Sequence, residues 1–457
     1  MIDFLEICRR ATSGPMMQEK KFDREKFFPK IQELVKKYAI RPELENPVNQ
    51  DDSMADAIYQ AAVDLIEGTG VFCTDTQRII EISREEILEA IREAPGPCWF
   101  GEGHDAGLFP TRKPDDPTPS WCQAGSGVAT SSEEIAFRVV EGYARIPEAD
   151  SIAAPSIFQL RRIPVTSGSP VEILAAIQAN NIARQALRQC GRTGLPILNL
   201  ISTAGSAIGT IAASQPAFGV RASDGWIVGF LPELKVNFGA LNKVAYLTSW
   251  NASVGSQSSP MLGGYCGGPA GVAIANTAYI IAGIIVMRGS YQLTFPIDLN
   301  LSCSTSRGVL WAVGASSQAI SRNISYPLIS LGYIAGGPMT ESYFYEASAY
   351  LLTAIPSGSS AQTPIPAKAL KIDYQTPLEM QFSAEVIKAS SKVSRREANH
   401  MVKQLLQKYE EGLESPPEGK PYLECFDIST GFPKPEYLEL YKKMKKELSS
   451  IGIPFIG

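Results

Sequence analysis

A short run of charge, Asp224 and then Pro232-Glu233-Leu234-Lys235, interrupts an otherwise neutral middle of the chain. A carboxylate in that setting could act as a base or hold a cationic substrate; the competing role is a Glu233–Lys235 ion pair at a surface or interface. Gly101-Glu102-Gly103-His104-Asp105-Ala106 carries one of the chain's two histidines, an acid or base if it faces a site and a polar loop otherwise. Cys303-Ser304-Thr305-Ser306-Arg307 joins a strand-like run to a helix-like one. Helix-start amides bind anions and Arg307 would add charge, with ordinary N-capping by Ser304 or Thr305 as the competing role. Gly336-Gly337-Pro338-Met339-Thr340-Glu341 follows the same logic. No charged side chain occurs from Val244 to Met287, and the centre of that stretch is Met261-Leu262-Gly263-Gly264-Tyr265-Cys266-Gly267-Gly268. Paired glycines permit positive φ and let a ligand sit against main-chain amides.

The elements that must position these residues alternate. Strand-like pieces are Cys98–Gly101, Ser120–Ala124, Ser151–Ala154, Pro196–Leu200, Val244–Trp250, Tyr291–Asn300 and Pro327–Tyr333. Between them the helical period marks Glu133–Tyr143, Pro170–Cys190, Pro269–Met287, Arg307–Ile320 and Glu341–Leu352. Ser169 followed by Pro170 is an N-cap with proline at the first helical position. Seven or eight such steps over about 250 residues predict an α/β fold, a TIM (β/α)8 barrel with additional N- and C-terminal helices. An open doubly wound sheet is the runner-up, and it lacks a GxGxxG after a strand. In either fold function collects at the carboxyl ends of the strands. Residues 1–95 read as a helical region packed on the barrel, 96–382 as the barrel and 383–457 as a helical extension. Within the first region Asp23–Tyr38 has helical spacing, Ser53 is a plausible N-cap for Ser53–Glu67, and Ser83 with Glu86 forms a capping box. Val71-Phe72-Cys73-Thr74-Asp75-Thr76-Gln77-Arg78 reads as a turn with a local Asp75–Arg78 pair, with a polar loop facing the barrel mouth as the competing role.

Composition narrows the functional classes. The chain has 457 residues, 44% hydrophobic and 19% charged, below the usual quarter of charge, so much surface is hidden, some of it between subunits of a homo-oligomer. A net charge of −5 argues against a nucleic-acid binder. Eight dispersed cysteines, no CxxC pair and two histidines (His104 and His400) argue against a protein-ligated zinc or iron site and suit a reducing cytosol. Met1-Ile2-Asp3-Phe4-Leu5-Glu6 lacks the basic-then-apolar pattern of a signal segment, so a cytoplasmic location is expected. Pro269–Met287 is long enough to span a bilayer, but Asn276, Thr277 and Tyr279 make a buried or interfacial helix the expectation.

Taken together, several motifs resemble the monomethylamine methyltransferases of methylotrophic methanogens. They are Cys73-Thr74-Asp75-Thr76, Gly103-His104-Asp105-Ala106, Ser169-Pro170-Val171-Glu172-Ile173-Leu174-Ala175-Ala176, Cys190-Gly191-Arg192-Thr193-Gly194, Glu233-Leu234-Lys235 and Gly263-Gly264-Tyr265-Cys266-Gly267-Gly268. Thr305-Ser306-Arg307, Thr340-Glu341, Glu346-Ala347-Ser348-Ala349 and Glu424-Cys425-Phe426-Asp427 complete the series, in order along nearly the whole chain. The resemblance implies a TIM barrel with extra helices in a symmetric oligomer. It also implies methyl transfer from a methylated amine to Co(I) of a corrinoid (cobalamin) carried by a small partner protein, with no cofactor or metal held by the chain itself. His104, Asp105, Gly263, Gly264, Gly267, Gly268 and Arg307 would lie on loops facing that corrinoid.

Departures from the pattern change the expected donor. The family's amine-binding residue is pyrrolysine; the matching stretch here is Pro196-Ile197-Leu198-Asn199-Leu200, with the position on Leu198, or Asn199 if one gap is allowed. The family's acidic pair after the Gly-Gly-Tyr loop falls on Ala270 and Gly271, and its glutamine near the last barrel loop on Leu331. Only Glu233 survives, as the expected catalytic group and charge partner. An imine captures a primary amine by addition; without it, and among apolar side chains, a small ammonium would be badly desolvated. A quaternary amine leaves as a neutral molecule and can be held by aromatic faces, for which Trp226, Tyr246, Trp250 and Tyr265 are candidates, with core packing as their competing role. The expectation is methyl transfer from a donor other than monomethylamine, bound by Leu198, Asn199, Tyr265, Ala270, Leu331 and Trp250. The alternatives are a non-catalytic homologue that binds a corrinoid protein or small ligand, and a structural subunit.

Overall fold

The computed structural model describes residues 2–455. Seven strands form one parallel sheet: β1 Cys122–Gly125, β2 Ser151–Ala153, β3 Gly225–Gly229, β4 Ser253–Ser258, β5 Tyr291–Thr294, β6 Leu328–Ser330 and β7 Ser360–Gln362. Their order is β3-β4-β5-β6-β7-β1-β2, with Ile329 opposite Ser360, Ala361 opposite Cys122 and Gln123 opposite Ser151. A helix follows each strand on the outer face, as a parallel sheet covered on both sides requires.

The regular sheet thus has seven strands, not eight. Its two edges are linked through Pro196–Leu200, which never becomes a regular strand. Ile152 N–H donates to Pro196 O (3.0 Å) and Leu198 N–H to Ile152 O (3.0 Å) on the β2 side. On the β3 side Gly225 N–H donates to Ile197 O (3.0 Å) and Leu200 N–H to Gly225 O (2.9 Å). The irregularity has a local cause. Pro196 has no N–H to give, and the Asn199 side chain takes up both the amide and the carbonyl of Ala154 (2.8 and 3.0 Å), groups a ladder would otherwise use.

Two expected strands are corrected. Of Val244–Trp250, the first five residues belong to the helix Phe238–Thr248 and the last two to the turn after it; the helix is capped by Asn237, whose Oδ1 accepts from Ala240 N–H at 2.8 Å. Leu241, Val244 and Leu247 repeat at helical spacing and are buried. The true strand is the next run, β4, whose small polar residues carry little β signature. Cys98–Phe100 pairs antiparallel with Gly107–Phe109 and is not a barrel strand. This hairpin closes the amino-terminal end of the sheet: Gly101 N–H donates to Ser223 O and Glu102 N–H to Gly194 O, both 3.0 Å, on residues that precede β3 and the irregular segment.

Helix Asp52–Thr69 packs against Pro269–Val286 and Arg307–Asn323. Its cap is Asp51 rather than Ser53, accepting from Ser53 and Met54 N–H (2.8 and 3.2 Å). Pro269–Val286 is apolar and long enough to cross a membrane but 94% of it is buried in the protein. One hydrophobic cluster runs from Ile2 to Ile453, so both terminal regions share the outer core of the sheet, and helix Pro377–Ser390 crosses the boundary expected at 383.

Candidate active site at the mouth of the sheet

The space inside the sheet is filled at its lower level and open above. Trp121, Leu198, Tyr291 and Ile329 pack with Phe100 and Phe109 of the closing hairpin. The Tyr291 hydroxyl donates to Leu198 O at 2.6 Å. A Cβ on Gly225 would lie 2.5 Å from that hydroxyl and one on Gly255 2.4 Å from the same ring, so Tyr291 occupies space that any larger residue there would need.

Above this layer, at the carboxyl ends of the strands, lies a cavity of about 320 Å³, at the small end of the range for ligand sites. Ile227, Leu293 and Leu331 make its apolar wall; Asn199, Gln257, Gln362, Tyr333 and Lys243 its polar one. Among the described residues no Asp or Glu lines it, and Lys243 is the only charged lining residue. Tyr333 is stacked on Phe295 at 5.0 Å between ring centroids and 21° between planes, and burial pushes its hydroxyl up to about 12. Gln362 Nε2 donates to Gly125 O (2.8 Å). Beside it in register, the buried Gln123 amide has no partner for either its Nε2 or its Oε1. Three larger clefts, about 580 Å³ beside Arg10, about 830 Å³ beside His400 and about 490 Å³ beside Phe432, lie among the terminal regions, away from the strand ends.

Lys243 reaches the cavity from the helix Phe238–Thr248, and its Nζ donates to Gly205 O at 3.0 Å. Among the described residues no carboxylate lies within ion-pair distance of it, and burial lowers its pKa against a weaker opposing pull from Glu172. Glu172 is itself committed: it accepts from the amides of Gly168, Gly205 and Ser206 (2.9, 2.8 and 2.9 Å) and from the Ser206 hydroxyl. It thereby holds the loop whose carbonyl meets Lys243.

The residues singled out from sequence separate into groups. Leu198 and Leu331 share the apolar cluster inside the sheet, and Asn199 and Leu331 line the cavity. Ala270 does not join them; it lies in the first turn of Pro269–Val286, within the outer core. The loop Gly263–Gly268 has the expected positive φ at Gly263 (85°) and Gly267 (69°), but it faces the N-terminal helices. A Cβ on Gly267 would sit 3.0 Å from Gln32 Nε2, one on Gly271 2.7 Å from Ile31, and Arg24 Nε donates to the Tyr265 hydroxyl (3.4 Å). Gly264 and Gly268 belong to the same loop and likewise stand outside the cavity lining. Trp250 packs edge-on against Trp226 (5.1 Å) and Tyr246 (6.1 Å) in the helix layer, so with Tyr265 elsewhere no aromatic cage forms.

Glu233 is half-buried with φ of 62° but does not line the cavity. Its neighbour is Lys235 Nζ, 3.8 Å away and itself 2.8 Å from Asp23 and 3.0 Å from Glu19. Burial pushes the Glu233 carboxyl up to about 7, helped by Asp23 and Glu19 and opposed by Lys235. Asp224 pairs with Arg184 in the interior. His104 and Asp105 sit at the amino-terminal end of the sheet, opposite the mouth: Asp105 holds Arg192 (2.5 Å) and Gly194 N–H (3.1 Å), and His104 is exposed. Arg307 is engaged by Glu410 (2.6 and 3.0 Å), which takes the place of an external anion. Asp75 accepts from Phe238 N–H (2.7 Å), and Arg78 donates to Gly14 O (2.6 Å), in place of the local pair. Lys243, Gln257, Gln362 and Tyr333 were not foreseen as site residues. The available signal was weak: Lys243 is the last charge before the uncharged run beginning at Val244.

The whole-chain comparisons decide the family. The sequence model for the monomethylamine methyltransferase MtmB matches residues 2–453. The chain belongs to the monomethylamine methyltransferase family. Relatives in this family include monomethylamine methyltransferase MtmB2 of Methanosarcina acetivorans and MtmB of Methanosarcina mazei. Each is 29% identical over 99% of this chain and 98% of its own length. The crystal structure of the Methanosarcina barkeri monomethylamine methyltransferase superposes with a TM-score of 0.95 at 28% identity, covering 99% of both chains, and a hydroxylamine complex of MtmB superposes equally well. The fold is therefore the TIM-barrel type of the monomethylamine methyltransferases, here with seven regular strands, and the chain is a methyltransferase of that family.

Proposed function

We propose that this protein transfers a methyl group from a small methylated donor other than monomethylamine to a corrinoid carried by a partner protein, at the mouth of a barrel whose third stave is the irregular segment Pro196–Leu200. The observation that carries this reading is the absence of any carboxylate from the lining, together with apolar Leu198 and Leu331 inside the sheet. Monomethylamine is an ammonium ion at neutral pH. In this cavity it would meet Lys243 and no counter-charge, a costly exchange for its hydration shell. Bound as the neutral amine instead, it would have to expel amide, with neither a carboxylic acid nor an imine in the lining to assist. A quaternary amine has no proton to lose and always departs as a neutral amine.

The corrinoid would supply the nucleophile that takes the methyl group; the chain supplies the pocket, the orientation and the exclusion of water. The segments after the strands suit a docked partner. Leu370 (75% exposed), Ile208 (61%), Leu174 (57%) and Ile163 (55%), with Phe158 and Phe238, put exposed apolar side chains on loops and helix starts that follow strand ends. Apolar side chains gathered on one face of a protein mark an interaction surface. The double variant Ile208→Asp/Leu370→Asp should weaken binding of the cognate corrinoid protein by about tenfold or more, through buried charge, with its melting temperature unchanged. Calorimetric titration measures it, and unchanged affinity removes this face as the dock. Dispersed free cysteines suit the cytoplasmic location this reading implies.

The reaction is tested by following the visible spectrum of Co(I) corrinoid protein with a panel of methylated amines, quaternary amines, thioethers and ethers. At least one donor should be turned over and monomethylamine should not. Monomethylamine turnover as fast as any other donor removes the altered-donor reading. Tight partner binding with no turnover of any donor favours a non-catalytic homologue.

A further inference from the structure

We infer that the methyl donor carries a carboxylate, and that Lys243 is the residue that binds it. This rests on the methyl-transfer reading above and names the substrate class of that site. Lys243 is the one charged group in the cavity lining, it is half-buried, and its Nζ spends a single hydrogen bond on a neutral carbonyl, Gly205 O. An ammonium presents three donors and no acceptor, so donors remain that this bond does not use. The carboxylate nearest in charge terms, Glu172, is saturated by three amides and a hydroxyl and serves the loop, not the lysine. An ammonium withdrawn from water without a counter-ion raises the energy of the empty site. A ligand carboxylate removes that cost at the moment it binds and forms a charge-assisted hydrogen bond.

The rest of the cavity orients such a molecule. Lys243 and Gly205 stand on the side of the irregular segment and β3, while Tyr333, stacked on Phe295, follows β6. Along the sheet order β3-β4-β5-β6 these two sides are separated by two intervening strands, so they face one another across the mouth. A donor with its carboxylate at Lys243 directs its methylated end toward the aromatic face of Tyr333, which accepts a cationic or thioether methyl group. Gln257 and Gln362, on β4 and β7, border the middle of the cavity with amides that can meet the donor's polar atoms but carry no charge. The carboxylate also removes the difficulty Lys243 poses for a quaternary ammonium, because the donor becomes neutral overall and its two charges are read at opposite ends of the site.

The test measures binding directly, apart from turnover, using pairs that differ in the carboxylate. Trimethylglycine is compared with tetramethylammonium, and 3-(methylthio)propionate with dimethyl sulfide, on the full chain by calorimetric titration; acetate and inorganic phosphate probe the anion site without a methyl donor. In at least one pair the carboxylate member should bind at least about tenfold tighter than its partner. Lys243→Gln should weaken that member by about ten- to a hundredfold while leaving the uncharged or cationic partner unchanged or improved. Lys243→Arg should restore part of the loss, which a purely structural lysine would not predict, and melting temperatures of both variants confirm folding. Equal affinity within both pairs, no binding by any probe, or an unaltered carboxylate affinity in Lys243→Gln overturns the inference. Phosphate binding more tightly than every carboxylate also overturns it and reassigns the anion. Methyl transfer from a donor without a carboxylate would sink this inference and leave the proposed function standing. Carboxylate binding at Lys243 with no methyl transfer would overturn the proposed function and leave only the anion site at Lys243 standing.

Discussion

Replacing Asp224 by alanine should lower the stability of the chain by about 3–5 kcal/mol, the cost of leaving one member of a buried ion pair behind. Asp224 and Arg184 are 1% and 3% exposed and bond directly. Burial pushes the Asp224 carboxyl up, yet the guanidinium cannot give up its proton and two main-chain amides also point at the carboxylate, so the pair stays ionised. Those amides are the reason the effect reaches the cavity. Asp224 Oδ1 accepts from Ile197 N–H (3.0 Å) and Oδ2 from Arg221 N–H (3.1 Å). Ile197 lies in the irregular segment that carries Asn199 and Leu200 into the cavity wall. Asp224→Ala therefore strands Arg184 and releases this segment together. Urea unfolding should show the full loss, and donor affinity should fall in the same variant. Asp224→Asn, which keeps an acceptor for Ile197 but not the charge, should retain more of the affinity than of the stability. A loss below about 1 kcal/mol in the alanine variant would mean that the pair is not the tie described.

Glu233→Gln should reshape the pH dependence of stability. The Glu233 carboxyl is raised from 4.5 to about 7 in the fold, so between those values the folded state binds a proton that the unfolded state releases. Stability contributed by the protonated group is therefore full below the unfolded value, declines as pH rises toward the folded value, and is flat above it. The largest difference is about 3 kcal/mol, set by the size of the shift. Glutamine cannot ionise, so relative to the natural chain the variant should gain up to that amount as pH moves from about 5 to about 8. Chemical denaturation at the two pH values measures the gain. Parallel curves for the two proteins would show that the carboxyl titrates in its ordinary range. The same variant separates two roles. A carboxylate held under the N-terminal helices by Lys235, beside the repelling charges of Asp23 and Glu19, alters this pH profile, whereas the base expected from the sequence motif would be required for turnover.

Much of the candidate site was illegible because direction is not written in residue type. His104 and Arg307 have the chemistry of site residues, yet one is turned to the far end of the sheet and the other is consumed by Glu410. The glycine loop at Gly263–Gly268 has the backbone freedom a ligand would need, and at Gly267 uses it to admit Gln32 instead. Leu198 and Leu331, by contrast, lie where an apolar interior was expected, because each sits on a segment whose inward face is set by the sheet itself.

What the sequence by itself determined is what short-range physics controls. Helix starts at Ser83 with Glu86 and at Ser169 before Pro170 follow from side chains that reach only their own first turn. The alternation of strand and helix follows from periodicity, and motif order along the chain placed it in its family. What only the tertiary structure decided is what depends on partners far along the chain. The helical state of Val244–Thr248, the irregular segment tied by Asn199 and Asp224, the filling of the sheet by Tyr291 over Gly225 and Gly255, and the placement of Lys243 beyond ion-pair distance of the described carboxylates all depend on such partners. Each is a matter of register and facing, and these are set by hydrogen bonds and packing between residues tens to hundreds of positions apart, which no local pattern encodes.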